Sequence, residues 1–472
     1  MAGGFLAYHE PGTKIIRAGI VGQIAVGIIY GKPLANILLL PWQETFLAIG
    51  YIGLILIIFE GGLQIRLDLL KQNFLLSLMG ATTGVVFPIA FSYLLLYLGY
   101  GYGAVETFII GAALSATSLG TTFSVISSAS REIDLSQTRV GSVLVSAAVI
   151  DDVVGLVLAS VIHDLGEMSH HGGGHVNLGW IIGRPIVASA AMAILTPILT
   201  KYFFAPIFRK HIEHAFAKYD HVSNIVLMIL VLSAFITIAA YTGTSVLFGS
   251  FLAGAFLTYL PSKHPDGPFV VMSREQGERE DDRSPTFVHT FELYLLDTQK
   301  YLMEPLFFAS VGFAIPFVEL WTGKRIWRGI LYSLLMLVAK VVVGLWVPLS
   351  HFFSSPRFSR LTKNSRHEST ETADSAQNMT DQDSYRSALL AGSLLGSAMV
   401  ARGEIGLLII EIGYNETTYV SQDGFITAVW AILLNTIIGP VSVGYVVKVF
   451  GRRIGEGNWG LQESSNPANG ER

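Results

Sequence analysis

Between Ile15 and Phe450 the chain is a succession of apolar runs, about twelve of them, most close to the roughly 20 residues that a bilayer span requires. Hydrocarbon offers no water to satisfy backbone N–H and C=O groups, so only helices and closed barrels cross it. Runs this long, without strict alternation of apolar and polar residues, select the helix. The fold class expected is therefore an all-α polytopic membrane protein. Composition agrees: 14% of residues are charged and 51% hydrophobic, against about 25% charged in a soluble domain. The net charge of −4 leaves no basic footprint for nucleic acid. With no cysteine, disulfides, thiol catalysis and cysteine-ligated metal are excluded. The opening MAGGFLAYHEPGTKIIR lacks the basic-then-apolar order of a cleavable signal.

Residues 1–453 read as one membrane domain with two hydrophilic inserts. The first, 265–300, holds SREQGEREDDR and the amphipathic stretch FVHTFELYLL. The second, 354–387, is rich in Ser, Thr, Asp and Asn; it has too little apolar surface to fold alone and is expected to be a disordered loop, regulated by phosphorylation or a plain linker. A short polar tail, 454–472, follows. Lys and Arg concentrate in alternate loops, at Arg66 and Lys71, Arg209 to Lys218, Lys263 to Arg283 and Arg357 to Arg366, which predicts both termini on the cytoplasmic side. The sequon Asn415-Glu416-Thr417 then falls outside, a glycosylation candidate, and Asn378-Met379-Thr380 falls inside.

Two runs are interrupted at mid-depth. The fourth, Thr107–Ser128, contains SATSLGTT from Ser115; the eleventh, Ala388–Ile412, contains RGEIG from Arg402. They lie seven spans apart, and an odd offset means opposite orientation in the bilayer. Paired interruptions of this kind point to an inverted-repeat transporter with its site at the midplane. No literal sequence repeat links the halves.

The fifth run, Val140–Val161, carries Asp151 and Asp152 side by side. Each acid costs about 2.5–3.5 kcal/mol at the centre of a membrane helix, and intramembrane acids mark ion or proton paths. Helical neighbours point about 100° apart, so one can meet a partner helix while the other faces an aqueous cavity, and the two titrate as a pair. Lys340, in LLMLVAKVVVGLW, lies about thirteen residues beyond Trp327, too deep for easy escape to an interface at about 1.5 Å per residue. It is the natural ion-pair partner of Asp151. Arg402 and Glu404 either neutralise buried charge or take part in transport. Glu60, in FEGGL, lines an access funnel or simply sits at the interface. Thr117 and Ser118 offer hydroxyl and freed carbonyl oxygens to a hard cation, although such residues commonly serve helix packing. His163, His170, His171 and His175 flank a Gly-rich loop whose spacing matches no recognised metal site.

The motifs FEGGL, ALSATSLGTTF, AAVIDDVVGLV, SVLFGSFLAGAFL, EPLFFASVGFAIPF, LVAKVVVG and MVARGEIGLLI, in that order, resemble the cation/proton antiporter superfamily over about Val21 to Tyr445. The resemblance is to its two-aspartate branch of Kef-, NapA- and NhaA-type proteins, particularly the fungal sodium/hydrogen exchanger-like members. It implies about twelve helices in an NhaA-like inverted repeat, with spans four and eleven crossing as broken helices. It implies a core moving against a dimerisation domain, hence a homodimer, and electrogenic exchange of H+ for Na+ or K+. Asp152 would carry the cation or protons, Asp151 would pair with Lys340 when no cation is bound, and Thr117 would lie at the unwound crossing. Related chains carry a further apolar span before IIRAGIVGQ; here YHEPG runs almost directly into that segment. No cofactor, and no metal beyond the transported cation, is implied. The membrane could be the plasma membrane or a vacuolar or other endomembrane.

Other readings fare worse. An organic-anion carrier on a similar fold lacks use for an Asp pair plus a membrane lysine. An intramembrane aspartyl protease needs its acids on separate helices, so no enzyme is expected. A passive channel needs a continuous pore.

Overall fold

The computed structural model describes residues 19–65, 73–118, 138–170, 178–212, 220–258, 260, 286–354, 371–457 and 459–460. Among these the regular structure is helical. The principal helices are α1 (Gly19–Tyr30), α2 (Leu40–Leu63), α3 (Phe74–Gly99), α4 (Ala104–Ala113), α5 (Arg139–His170), α6 (Leu178–Leu199), α7 (Asp220–Thr242), α8 (Val246–Thr258), α9 (Phe287–Tyr294), α10 (Glu304–Ala314), α11 (Gly323–Val341), α12 (Glu371–Ala398), α13 (Glu404–Asn415) and α14 (Gln422–Gly455). Seven helices among the described residues are long and apolar enough to cross a membrane, and α1, α4 and α8 are shorter apolar helices. Helices α12 and α13 divide the eleventh apolar run at residues 399–403, and α12 begins inside the polar stretch 354–387.

The chain forms two compact units. The first comprises Met1–Arg66, Val153–Ile326 and Leu407–Thr427. Its core joins Phe59 and Leu63 of α2 to Phe256 of α8 and Phe291 of α9. Helix α2 carries Pro41 in its first turn, where a missing N–H costs nothing. It approaches α8 so closely that a Cβ on Gly62 would stand 2.1 Å from the Phe251 carbonyl oxygen. Small residues at such a seam let backbones meet where no hydrophobic effect drives helices together in lipid. The amphipathic helix α9 closes the first insert, its N-terminus capped by Thr286, whose hydroxyl accepts from His289 N–H at 3.0 Å. Apolar side chains on α6 and α7, among them Val187, Ile194, Leu230 and Tyr241, remain exposed, as a lipid-facing surface requires.

The second unit comprises Leu67–Asp152, Trp327–Gly406 and Ala428–Arg472. Val143, Leu144 and Ala148 of α5 pack with Val343, Val347, Leu394, Leu395, Met399 and Val443. A Cβ on Gly344 would lie 2.1 Å from the carbonyl oxygen of Gly392 in α12. At the start of α5, Arg139 N–H donates to Gly460 O at 3.0 Å and its guanidinium lies over the Trp459 ring. The head of the polar tail is therefore folded onto this unit.

Candidate functional site

The second unit contains a buried polar centre where two non-helical segments meet. Helix α4 ends at Ala113, and residues 114–118 leave the helix. Residues 399–403 do the same between α12 and α13. The segments lie side by side: Ser118 N–H donates to Ala401 O at 2.9 Å. A Cβ on Gly403 would stand 2.6 Å from Ser118 Cβ, so any larger residue here must push Ser118 aside. Non-helical backbone at membrane depth survives only where protein buries it or a cavity hydrates it.

Arg402 answers the freed carbonyls. Its Nη1 donates to Ala116 O at 2.8 Å, with Ser115 O at 3.4 Å, so a cation sits at the carbonyl end of α4. The guanidinium is fully buried, and among the described residues its Nε and Nη2 have no partner. The Arg402 carbonyl accepts from Thr436 at 3.0 Å. Glu404 is not its partner in these contacts; it stands partly buried in the first turn of α13, where the helix dipole favours an anion.

Beside these segments, Lys340 Nζ lies 2.8 Å from Asp151 Oδ2 and donates at 2.8 Å to Thr117 Oγ1. Thr117 in turn donates to Asp151 Oδ2. Lys340 and Asp151 are both 0% exposed. Two buried ions recover their desolvation cost only in part, so such a pair is weak evidence for stability. Asp152, one residue on, is partly buried, and its Oδ1 has no hydrogen-bond partner among the described residues. Asp151, Thr117 and Lys340 thus form one cluster, with Asp152 next to it and Ser118 in the extended segment. Gly84 faces the ammonium: a Cβ there would be 3.2 Å from Nζ.

Glu60 belongs to the first unit, where Gln64 and Gln299 donate to its two oxygens at 2.8 and 2.7 Å. Asn415, at the end of α13, is exposed, and the Thr417 hydroxyl of its sequon bonds to Gly413 O. His163 is paired with Glu416 at 2.6 Å. His171, His175, Gly120, Thr121 and residues 265–285 lie outside the described residues, and nothing is described of the His170 side chain. Sequence reasoning passed over the buried Tyr332–Ser92 hydrogen bond of 2.6 Å and the carboxylate of Glu411. The latter carries the same signal as Asp151, an acid within an apolar helix.

Apolar helices enclosing a buried charged centre define an integral, multi-pass membrane protein. Residues 12–449 match the transmembrane sodium/hydrogen exchanger family, and the chain belongs to it. A Na+/H+ antiporter of Enterococcus hirae is 23% identical over 447 residues, 91% of each chain. A Na+/H+–K+ antiporter of Bacillus cereus, GerN, is 24% identical over 437 residues, 92% of this chain and 91% of the relative. The solved sodium proton antiporter MjNhaP1 of Methanocaldococcus jannaschii shares the fold, with a TM-score of 0.56 at 18% identity over 96% of each chain. These relatives are transporters, not enzymes, and they are bacterial and archaeal rather than fungal.

Proposed function

We propose that the protein exchanges Na+ for H+ across a membrane by alternating access, with cation and proton competing for the Asp151–Asp152 pair. One observation carries this reading: a fully buried Lys340–Asp151 pair adjoins a carboxylate, Asp152, that has an oxygen without a hydrogen-bond partner among the described residues. A permanently neutralised structural pair has no use for the second acid. In this scheme Asp152 holds either a proton or the cation, Thr117 and the carbonyls of the extended segments supply further oxygen, and Lys340 compensates Asp151 when the cation is absent. A hard alkali ion favours such oxygen donors. Segments 114–118 and 399–403 are then the two interruptions of an inverted repeat of about twelve spans, and Arg402 neutralises their freed carbonyls. The two-aspartate branch and electrogenic exchange belong to the same reading, as do a homodimeric assembly and cytoplasmic termini.

Potassium is the second reading, favoured by the name of the Bacillus cereus relative. Purified protein in acid-loaded liposomes with a lumenal pH dye decides between the two. An external Na+ pulse is expected to alkalinise the lumen, and K+ or Li+ pulses rank the cargo. No pH change with any alkali cation, in vesicles that respond to an added ionophore exchanger, removes the proposal.

A further inference from the structure

Lys340 lies not only against Asp151 and Thr117 but also against bare backbone. Gly84, buried in α3, has no side chain, and a Cβ there would stand 3.2 Å from Lys340 Nζ and 3.4 Å from Met399 Cε. The approach is built into the packing. The neighbouring Thr83 accepts from Trp346 Nε1 at 2.8 Å, and a Cβ on Gly80, one turn earlier, would meet Val343 at 3.5 Å. Three points of α3 thus rest on residues 340–346. The turn beyond Gly84 has a second peculiarity: Pro88 lies inside α3. Proline has no N–H, and its ring crowds the carbonyl four residues back. The carbonyl of Gly84 therefore lacks its ordinary helical donor, in the very residue that faces the ammonium.

An ammonium has three N–H donors, and Lys340 commits two of them, to Asp151 Oδ2 and Thr117 Oγ1. In the antiport reading a cation on the acid pair displaces Lys340 from Asp151. A buried ammonium set loose in a low-dielectric interior is costly unless another acceptor is at hand. Thr117 alone leaves that charge with a single hydroxyl. We propose that Gly84 is the positioning residue for this displacement: its open Cα lets the Lys340 ammonium cross to the Gly84 carbonyl, left without a helical donor by Pro88, while the cation occupies Asp151 and Asp152. This rests on the antiport reading and adds to it the place where the displaced charge goes.

The test reads radioactive Na+ binding to purified protein beside the apparent KM for Na+ in liposomes and the melting midpoint. Gly84→Ala closes the space, asking Lys340 and Met399 to yield by a few tenths of an ångström. Pro88→Ala leaves the space open and returns an N–H to the Gly84 carbonyl. A hydrogen bond from a charged donor is worth about tenfold or more in an equilibrium, so each variant should weaken Na+ binding and raise KM about tenfold, with the maximal rate kept. Pro88→Ala should melt no lower than wild type, because alanine is the better helix former; a purely structural role for Pro88 moves the midpoint and not the affinity. Lys340→Met protein has no ammonium to receive, so adding either substitution to it should leave Na+ binding unchanged. Wild-type affinity in either single variant, or the same loss with and without the lysine, overturns the proposal. Should Gly84→Ala fail to fold, Pro88→Ala with and without Lys340→Met carries the same decision. Wild-type protein that neither binds nor exchanges an alkali cation removes the antiport reading and this proposal with it; normal exchange with affinities indifferent to both substitutions removes the role of Gly84 alone.

Discussion

Replacing Lys340 by Met, a side chain of similar length without charge, isolates the electrostatics of the buried pair. The ammonium and the Asp151 carboxylate are 2.8 Å apart and both fully buried, and Thr117 bonds to each. Removing one member strands the other, at about 3–5 kcal/mol for a buried pair. A shape-conserving substitution adds under about 1.5 kcal/mol from packing. Asp151→Asn should therefore cost a similar amount, by stranding Lys340. The double variant should recover most of the loss, giving a coupling energy of about 3 kcal/mol or more. For a cooperative unit of about 200 residues each kcal/mol moves the midpoint by about 2–4 °C. Each single variant should thus melt at least about 6 °C below wild type, with the double variant well above either single. Tryptophan fluorescence of detergent-purified protein during heating reads this directly. Strictly additive losses, or single variants within 1 °C of wild type, would refute the idea that the two charges depend on one another.

Asp152→Asn should leave the melting curve and elution profile close to wild type while abolishing cation-driven pH change in liposomes; retained exchange would remove Asp152 from the site. Thr117→Val deletes a hydroxyl between two buried charges and should cost about 1–3 kcal/mol, with exchange slowed, as read by the same two assays. Gly403→Ala places a methyl against Ser118 and should cost about 1–3 kcal/mol of overpacking strain, seen as a lower melting midpoint that Ser118→Gly partly restores.

Much of the centre was legible in the sequence because charge in an apolar run has so few physical explanations. Asp151, Asp152 and Lys340 stand out against their neighbours for that reason. Glu411 gives the same signal more faintly, since it lies near the end of its run and close to Glu416. Gly84 gave none: its place beside the ion pair depends on which helices are adjacent. For Arg402 the sequence left open whether it neutralises buried charge or takes part in transport, and named no partner; it binds carbonyls of residues 115 and 116, almost 300 positions earlier.

Helical state and membrane residence follow from the sequence alone, because a lipid solvent forbids unpaired backbone and long apolar runs admit little else. Which oxygen each cation meets was decided only by the tertiary structure. Hydrogen bonds demand alignment within a few tenths of an ångström, and that alignment is set by glycine contacts such as Gly403 on Ser118 and Gly344 on Gly392. Linear spacing carries no information about such approaches, since each depends on two distant segments packing at one depth.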